Sequence, residues 1–162
     1  MKTRVTILFL SVSIALAGIA YGAGANAADA AQNRDNDGLK ALLKQRADVN
    51  AAQPDGTTAL HWAAHWDDAE AVSLLLRAGA NAKATNRYGA TPLSEAVVSG
   101  SAATIEALLN AGASPKTLTT EDGETVLMTA ARAGNAAAVK ILLDRGADVN
   151  AKENYKGQTA LM

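Results

Sequence analysis

Two histidines, His61 and His65, stand four residues apart, a spacing that sets both imidazoles on one side of a helix. Imidazoles so placed can ligate zinc, and a metalloprotease of this type carries a Glu directly after the first His as general base. Trp62 holds that position instead, and no third ligand at matching spacing follows. The carboxylates Glu95, Glu121 and Glu124 could do acid–base work only across a cleft, and they read as solvated surface. With no cysteine there is no thiol nucleophile, disulfide framework or zinc knuckle. No Gly-x-Ser-x-Gly elbow, phosphate loop or dinucleotide fingerprint occurs. The expectation is a non-enzyme with no metal, cofactor or small-molecule substrate.

The elements around the histidines repeat. Asp55-Gly-Thr-Thr-Ala-Leu-His-Trp-Ala-Ala64 is echoed by Tyr88-Gly-Ala-Thr-Pro-Leu-Ser-Glu-Ala-Val97 and Asp122-Gly-Glu-Thr-Val-Leu-Met-Thr-Ala-Ala131, and in part by Lys156-Gly-Gln-Thr-Ala-Leu-Met162. Gly56, Gly89, Gly123 and Gly157 lie 33, 34 and 34 residues apart. A second glycine series, Gly79, Gly112 and Gly146, repeats the 33 and 34 spacing after Leu- or Ile-rich segments. The additional residue falls in a connecting loop, where an insertion disturbs packing least.

Each recurrent residue has a local reason. Thr58, Thr91, Thr125 and Thr159 sit where a helix needs an N-cap hydroxyl for an otherwise unpaired backbone N–H. Pro92 follows at the first helical position, where a missing N–H costs nothing. Leu60, Ala63 and Ala64, then Leu93, Ala96 and Val97, give a short helix one apolar face. A second helix carries Val72, Leu75 and Leu76, matched by Ile105, Leu108 and Leu109 and by Val139, Leu142 and Leu143. Gly79, Gly112 and Gly146 are placed to end it in the left-handed region, which costs other residues about 1 kcal/mol. Arg46 holds that place in the first unit, so that helix is expected to end less tidily. Gly100 and Gly134 turn the chain between helices, with Asp67 as a stand-in that tolerates positive φ. Asn50 and Asn150 read as turn residues bonding local backbone.

These residues resemble the ankyrin repeat, with its Gly-x-Thr-Pro-Leu-His-x-Ala-Ala and Leu-Leu-Leu-x-x-Gly-Ala-Asp-Val-Asn-Ala pattern. The resemblance implies an all-α solenoid of helix–turn–helix units with hairpin-like loops. It divides the chain into a partial repeat at 36–52, full repeats at about 53–85, 86–118 and 119–152, and a truncated one at 153–162. It makes His61 the histidine that fixes neighbouring loops rather than a metal ligand, and places His65 on the groove side of the same helix. It also implies a non-catalytic protein-binding role.

The chain has 162 residues, 49% of them hydrophobic, with aromatics limited to two Trp, three Tyr and one Phe. Its net charge of −1 and its lack of a basic stripe argue against a nucleic-acid partner. Lys2 and Arg4 precede a mostly apolar run from Val5 to Ala20, then a small-residue stretch with several Ala-x-Ala sites. This reads as a signal peptide over 1–27, with cleavage favoured after Ala27 and with Ala25 and Ala30 as alternatives. The run is shorter than the roughly 20 residues of a spanning helix, so no stable membrane anchor is expected after cleavage. Residues 28–35 are expected as a linker, and the mature protein as periplasmic or secreted.

Solenoids bind along a concave face. By the resemblance, that face takes Asp55, Thr57, Arg87, Tyr88 and Glu124 from the turn tips and His65, Trp66, Ser99 and Arg132 from the first helices. Trp66 beside Tyr88 and Arg87 has the composition of an interface hot spot, against the alternative that it folds over Trp62 and covers a repeat junction. The acidic C-terminal tips suggest a partner with some positive charge. The other reading is a structural spacer, or a fragment of a longer repeat protein, that associates through its uncapped C-terminal end.

Overall fold

The computed structural model describes residues 26–119 and 122–162. Its regular structure is helical throughout: α1 (Ala27–Gln32), α2 (Asn36–Lys44), α3 (Ala59–His65), α4 (Ala69–Arg77), α5 (Pro92–Ser99), α6 (Ala102–Asn110), α7 (Val126–Arg132) and α8 (Ala136–Asp144). Single antiparallel bridges, Ala52 to Thr58 and Leu118 to Thr125, close the bases of two loops. The odd helices pack on one another in one row and the even helices in a second, which is the layout of a stacked all-α solenoid.

The core is a thin seam between the rows. Leu39, Leu60, Leu75, Leu93, Ile105, Leu108, Leu127 and Leu142 are fully buried, each stabilising by about 1.5–3 kcal/mol. Ala59, Ala63, Ala64, Ala96 and Ala130 fill the inner row, where a larger side chain would hold the helices apart. Thr58, Thr91 and Thr125 all stand at the N-cap position, and the expected hydroxyl cap forms at Thr91 and Thr125. Thr91 Oγ1 accepts from the Ser94 backbone N–H at 3.1 Å while Ser94 Oγ accepts from the Thr91 N–H at 2.8 Å. Thr125 and Met128 repeat this box with a thioether as the second acceptor. Thr159 begins only a short turn, to the Leu161 N–H, and no helix follows it in 154–162.

Two expectations fail at the N-terminal unit. Residues 28–35 are not a linker: α1 starts at Ala27, capped by Asn26 Oδ1 accepting from the Asp29 N–H at 3.0 Å. Ala27, Ala30 and Ala31 join the core, so the unit expected as a partial repeat has both of its helices. Of the leader expected over 1–27, only Asn26 and Ala27 lie among the described residues.

Arg46 also ends α2 as neatly as its glycine counterparts end theirs. The Ala47 N–H reaches the Leu42 carbonyl at 3.0 Å and the Arg46 N–H reaches that of Leu43 at 3.0 Å. The same two bonds close α4 through Ala80 and Gly79 at 2.9 and 3.1 Å. The motif forms because two hydrogen bonds and the docking of the next segment outweigh the steric cost of φ +59° on a residue with a Cβ. Asp67 does stand in for the turn glycines, at φ +52°.

Candidate functional site on the concave face and turn tips

The residues expected from sequence to form a partner site lie at the loop tips and on or just after the inner helices. His61 lies inside the stack, only 2% exposed. Its Nδ1 accepts from the Thr58 backbone N–H at 3.2 Å, so Nε2 carries the proton and donates to the Ala90 carbonyl of the next unit at 3.0 Å. Burial drives its pKa below the ordinary imidazole value, and the Ala90 carbonyl opposes this only in part. Both ring nitrogens are therefore occupied by protein, and His61 works as a clip between repeats. His65 points the other way, its Nδ1 set 2.9 Å from Glu95 Oε2. Glu95 is thus an inter-repeat partner rather than plain solvated surface. Among the described residues no group of three or more His, Cys, Asp or Glu is placed to hold a metal ion.

Trp62, His65 and Trp66 form a compact aromatic plate. The indoles stack with centroids 6.3 Å apart and planes 17° from parallel. His65 meets both edge-on, 5.8 Å from Trp62 and 4.7 Å from Trp66. Trp66 Nε1 donates to the Gln32 carbonyl at 3.2 Å, and the Arg34 guanidinium lies 6.0 Å over its ring. Trp62 Nε1 donates to Gln53 Oε1 at 2.9 Å, and Gln53 Nε2 bridges Asp29 and Gln32. Trp66 therefore does cover a junction, that between α1 and α3, yet it remains 39% exposed along its rim. Gln32, Arg34 and Gln53 escaped the sequence reading because nothing in the repeat motif marks them.

The tips are tied to one another. Asp55 Oδ1 accepts from the Thr57 backbone N–H at 2.9 Å and Oδ2 from its hydroxyl at 2.9 Å, which holds the carboxyl below the usual carboxylate range. Thr57, expected as a contact residue, is instead buried and also accepts from Asn86 Nδ2 at 3.2 Å. The Arg87 N–H donates to the Asp55 carbonyl at 2.7 Å, and its guanidinium to the Pro54 carbonyl at 2.7 Å. Gly56 permits this closeness: at φ +87° a Cβ there would stand 3.2 Å from Asn86 Cα. Tyr88 projects from the second tip, 70% exposed, and Val98 at the end of α5 is 65% exposed. Ser99 is exposed but its hydroxyl is turned onto the Ala64 carbonyl at 3.2 Å.

At the C-terminal end Arg132 meets Glu124 at 2.8 Å, and Thr129 Oγ1 donates to the same carboxylate at 2.8 Å. Glu124 is thereby paired within its own repeat, and Asp122 is the other residue of the expected acidic tip that lies among the described residues. Glu121 lies outside the described residues. A hollow of 560 Å³ opens beside this pair, with Met128, Ala131, Tyr155, Leu161 and Met162 in its wall. No helix among the described residues is long and apolar enough to cross a membrane.

The model for ankyrin repeats (3 copies) matches residues 28–119 and 100–162. No curated protein matches the sequence at a significant level. The family match starts within α1, in line with a first unit that includes this helix. Tip, inner helix, outer helix and glycine stop recur through the three units between 53 and 152, and the chain belongs to the ankyrin-repeat family.

Proposed function

We propose that this protein is a non-catalytic interaction module that works outside the cytoplasm, in a bacterial periplasm, holding a partner protein along its concave face. Ankyrin repeats generally are protein–protein interaction modules. The observation that carries the reading is the pairing of a locked scaffold with unspent apolar surface. Tyr88 and Val98 protrude from tip and inner helix, and Trp66 keeps part of its surface exposed. His61, Thr57 and Ser99 are spent on holding units together, which keeps that surface preorganised. The leader-like pattern read over residues 1–27 supports the compartment.

A photo-crosslinking residue placed at position 88 or 98 should capture one partner in the native compartment, while one at Ser73 on an exposed outer-row position should not. Tyr88→Ala combined with Val98→Asp should cut capture about tenfold, the loss of about 1.4 kcal/mol. Equal capture from positions 73 and 88 would dismiss the groove as the binding face.

A second reading draws on the C-terminal end, where Tyr155, Leu161 and Met162 are at least 78% exposed around the hollow beside Met128. This end associates with further repeats or with another chain, and the protein acts as a spacer. Size-exclusion chromatography over a hundredfold dilution separates the readings, because a constant monomer volume contradicts association through this end.

A further inference from the structure

The start of α1 bears on how the precursor is processed. Three bonds in the small-residue stretch follow an Ala-x-Ala triplet, which puts alanine at the first and third positions before a cut: those after Ala25, Ala27 and Ala30. Sequence alone does not separate them, but the fold treats them very differently. Asn26 is extended, at φ −110° and ψ 171°, and its side chain caps α1. Ala27 is the first helical residue and is wholly buried in the core, as Ala30 and Ala31 nearly are.

A leader peptidase reads its substrate as an extended, accessible chain. The bonds after Ala27 and Ala30 lie inside a helix, and cutting there removes buried alanines. Cutting after Ala27 also removes the side chain that satisfies the Asp29 N–H, and with it the carbonyl that accepts from the Ala30 N–H at 3.2 Å. The bond before Asn26 has neither defect. Cleavage there leaves every residue that builds α1 in the product.

We infer that the precursor is cut by a leader peptidase between Ala25 and Asn26, with Ala23 and Ala25 as the small pair, so that the mature protein begins on its own helix cap. The inference rests on the export reading above. It is a hydrolysis: water adds across the Ala25–Asn26 amide, leaving the Ala25 carboxylate on the leader and a free amino group on Asn26.

The test is to express the full precursor in a bacterium with an intact export pathway and to recover the periplasmic fraction. Intact mass and N-terminal sequencing should then return Asn26 as the first residue. A product beginning at Ala28 or Ala31 overturns the inference and leaves export standing. An uncut chain beginning at Met1 and confined to the cytoplasm overturns export and this inference together. Ala23→Gln adds a check, because it spoils the pair for Ala25 and spares the pair for Ala27. It should make the uncut precursor accumulate or shift the product to Ala28, whereas unchanged, complete processing to the wild-type end would show that Ala23 is not read.

Discussion

His61 makes protonation a direct probe of how the repeats are joined. Its Nδ1 is committed as an acceptor to the Thr58 N–H, and its Nε2–H to the Ala90 carbonyl. A second proton on Nδ1 would break the first bond and leave a cation in the stack, and this is why burial lowers the pKa. In the unfolded chain the ring titrates near the ordinary 6.5. Between the folded and unfolded values the unfolded state alone binds the proton, so stability is full above about pH 6.5 and falls as pH drops, by at most about 1.4 kcal/mol per unit. From pH 7.5 to 5.5 His61 therefore accounts for a loss of up to about 1.4 kcal/mol, or roughly 4–6 °C in melting temperature. The matching variant is His61→Gln, since Gln at this helix position can still accept from the Thr58 N–H but does not titrate. Urea denaturation of both proteins at the two pH values, with the slope checked for constancy, isolates the effect because His65 is common to both. Parallel losses in wild type and His61→Gln would refute the buried-neutral clip.

Other perturbations follow from the same geometry. Arg46→Gly should raise stability by about 0.5–1 kcal/mol, the relief of the left-handed strain less the entropy glycine gains when unfolded, while Gly112→Ala should lower it by about 1 kcal/mol; thermal melts compare the two. Asn50→Ala removes the acceptor of the Asn81 N–H at 2.8 Å and should cost about 0.5–1 kcal/mol in urea denaturation. Trp66→Ala should release α1 while sparing later units, read as amide exchange at least tenfold faster at Ala30 and Ala31 with little change around Leu108. Replacing Glu124 by Gln should cost under about 1 kcal/mol, because its partner Arg132 is largely exposed.

Most of this fold is legible in the sequence because each repeat restates the same local physics. A threonine cap, a Leu-rich outer helix and a glycine stop at fixed spacing need no distant information, and Thr91, Leu108 and Gly112 act as their types suggest. What escaped was set by neighbours. Helix α1 is mostly alanine, a composition shared by leader-peptide tails and helices, and only the docking of α3 decides between them. Arg46 shows tertiary docking overriding a local preference. Thr57 and Glu95 looked free because their partners, Asn86 and His65, are 29 and 30 residues away in the adjacent unit. The exposed candidates Tyr88 and Arg87 could be placed on a tip by phase alone, but that Arg87 braces the preceding tip could not.

The bonds that cross between units join neighbours in the stack, among them His61 to Ala90, Asn50 to Asn81, Arg87 to Asp55, and Asn154 to Asp122. Such a protein behaves as a one-dimensional chain of coupled elements, in which each unit is weak alone and cooperativity is a property of the links. Weakening one link shortens the distance over which folding is correlated. Removing every bond at one junction, His61 to Ala90 together with Asn86 to Thr57, Arg87 to Asp55 and His65 to Glu95, would then do more than lower the total stability: it would let the first two units open while the others stay closed, dividing one transition into two.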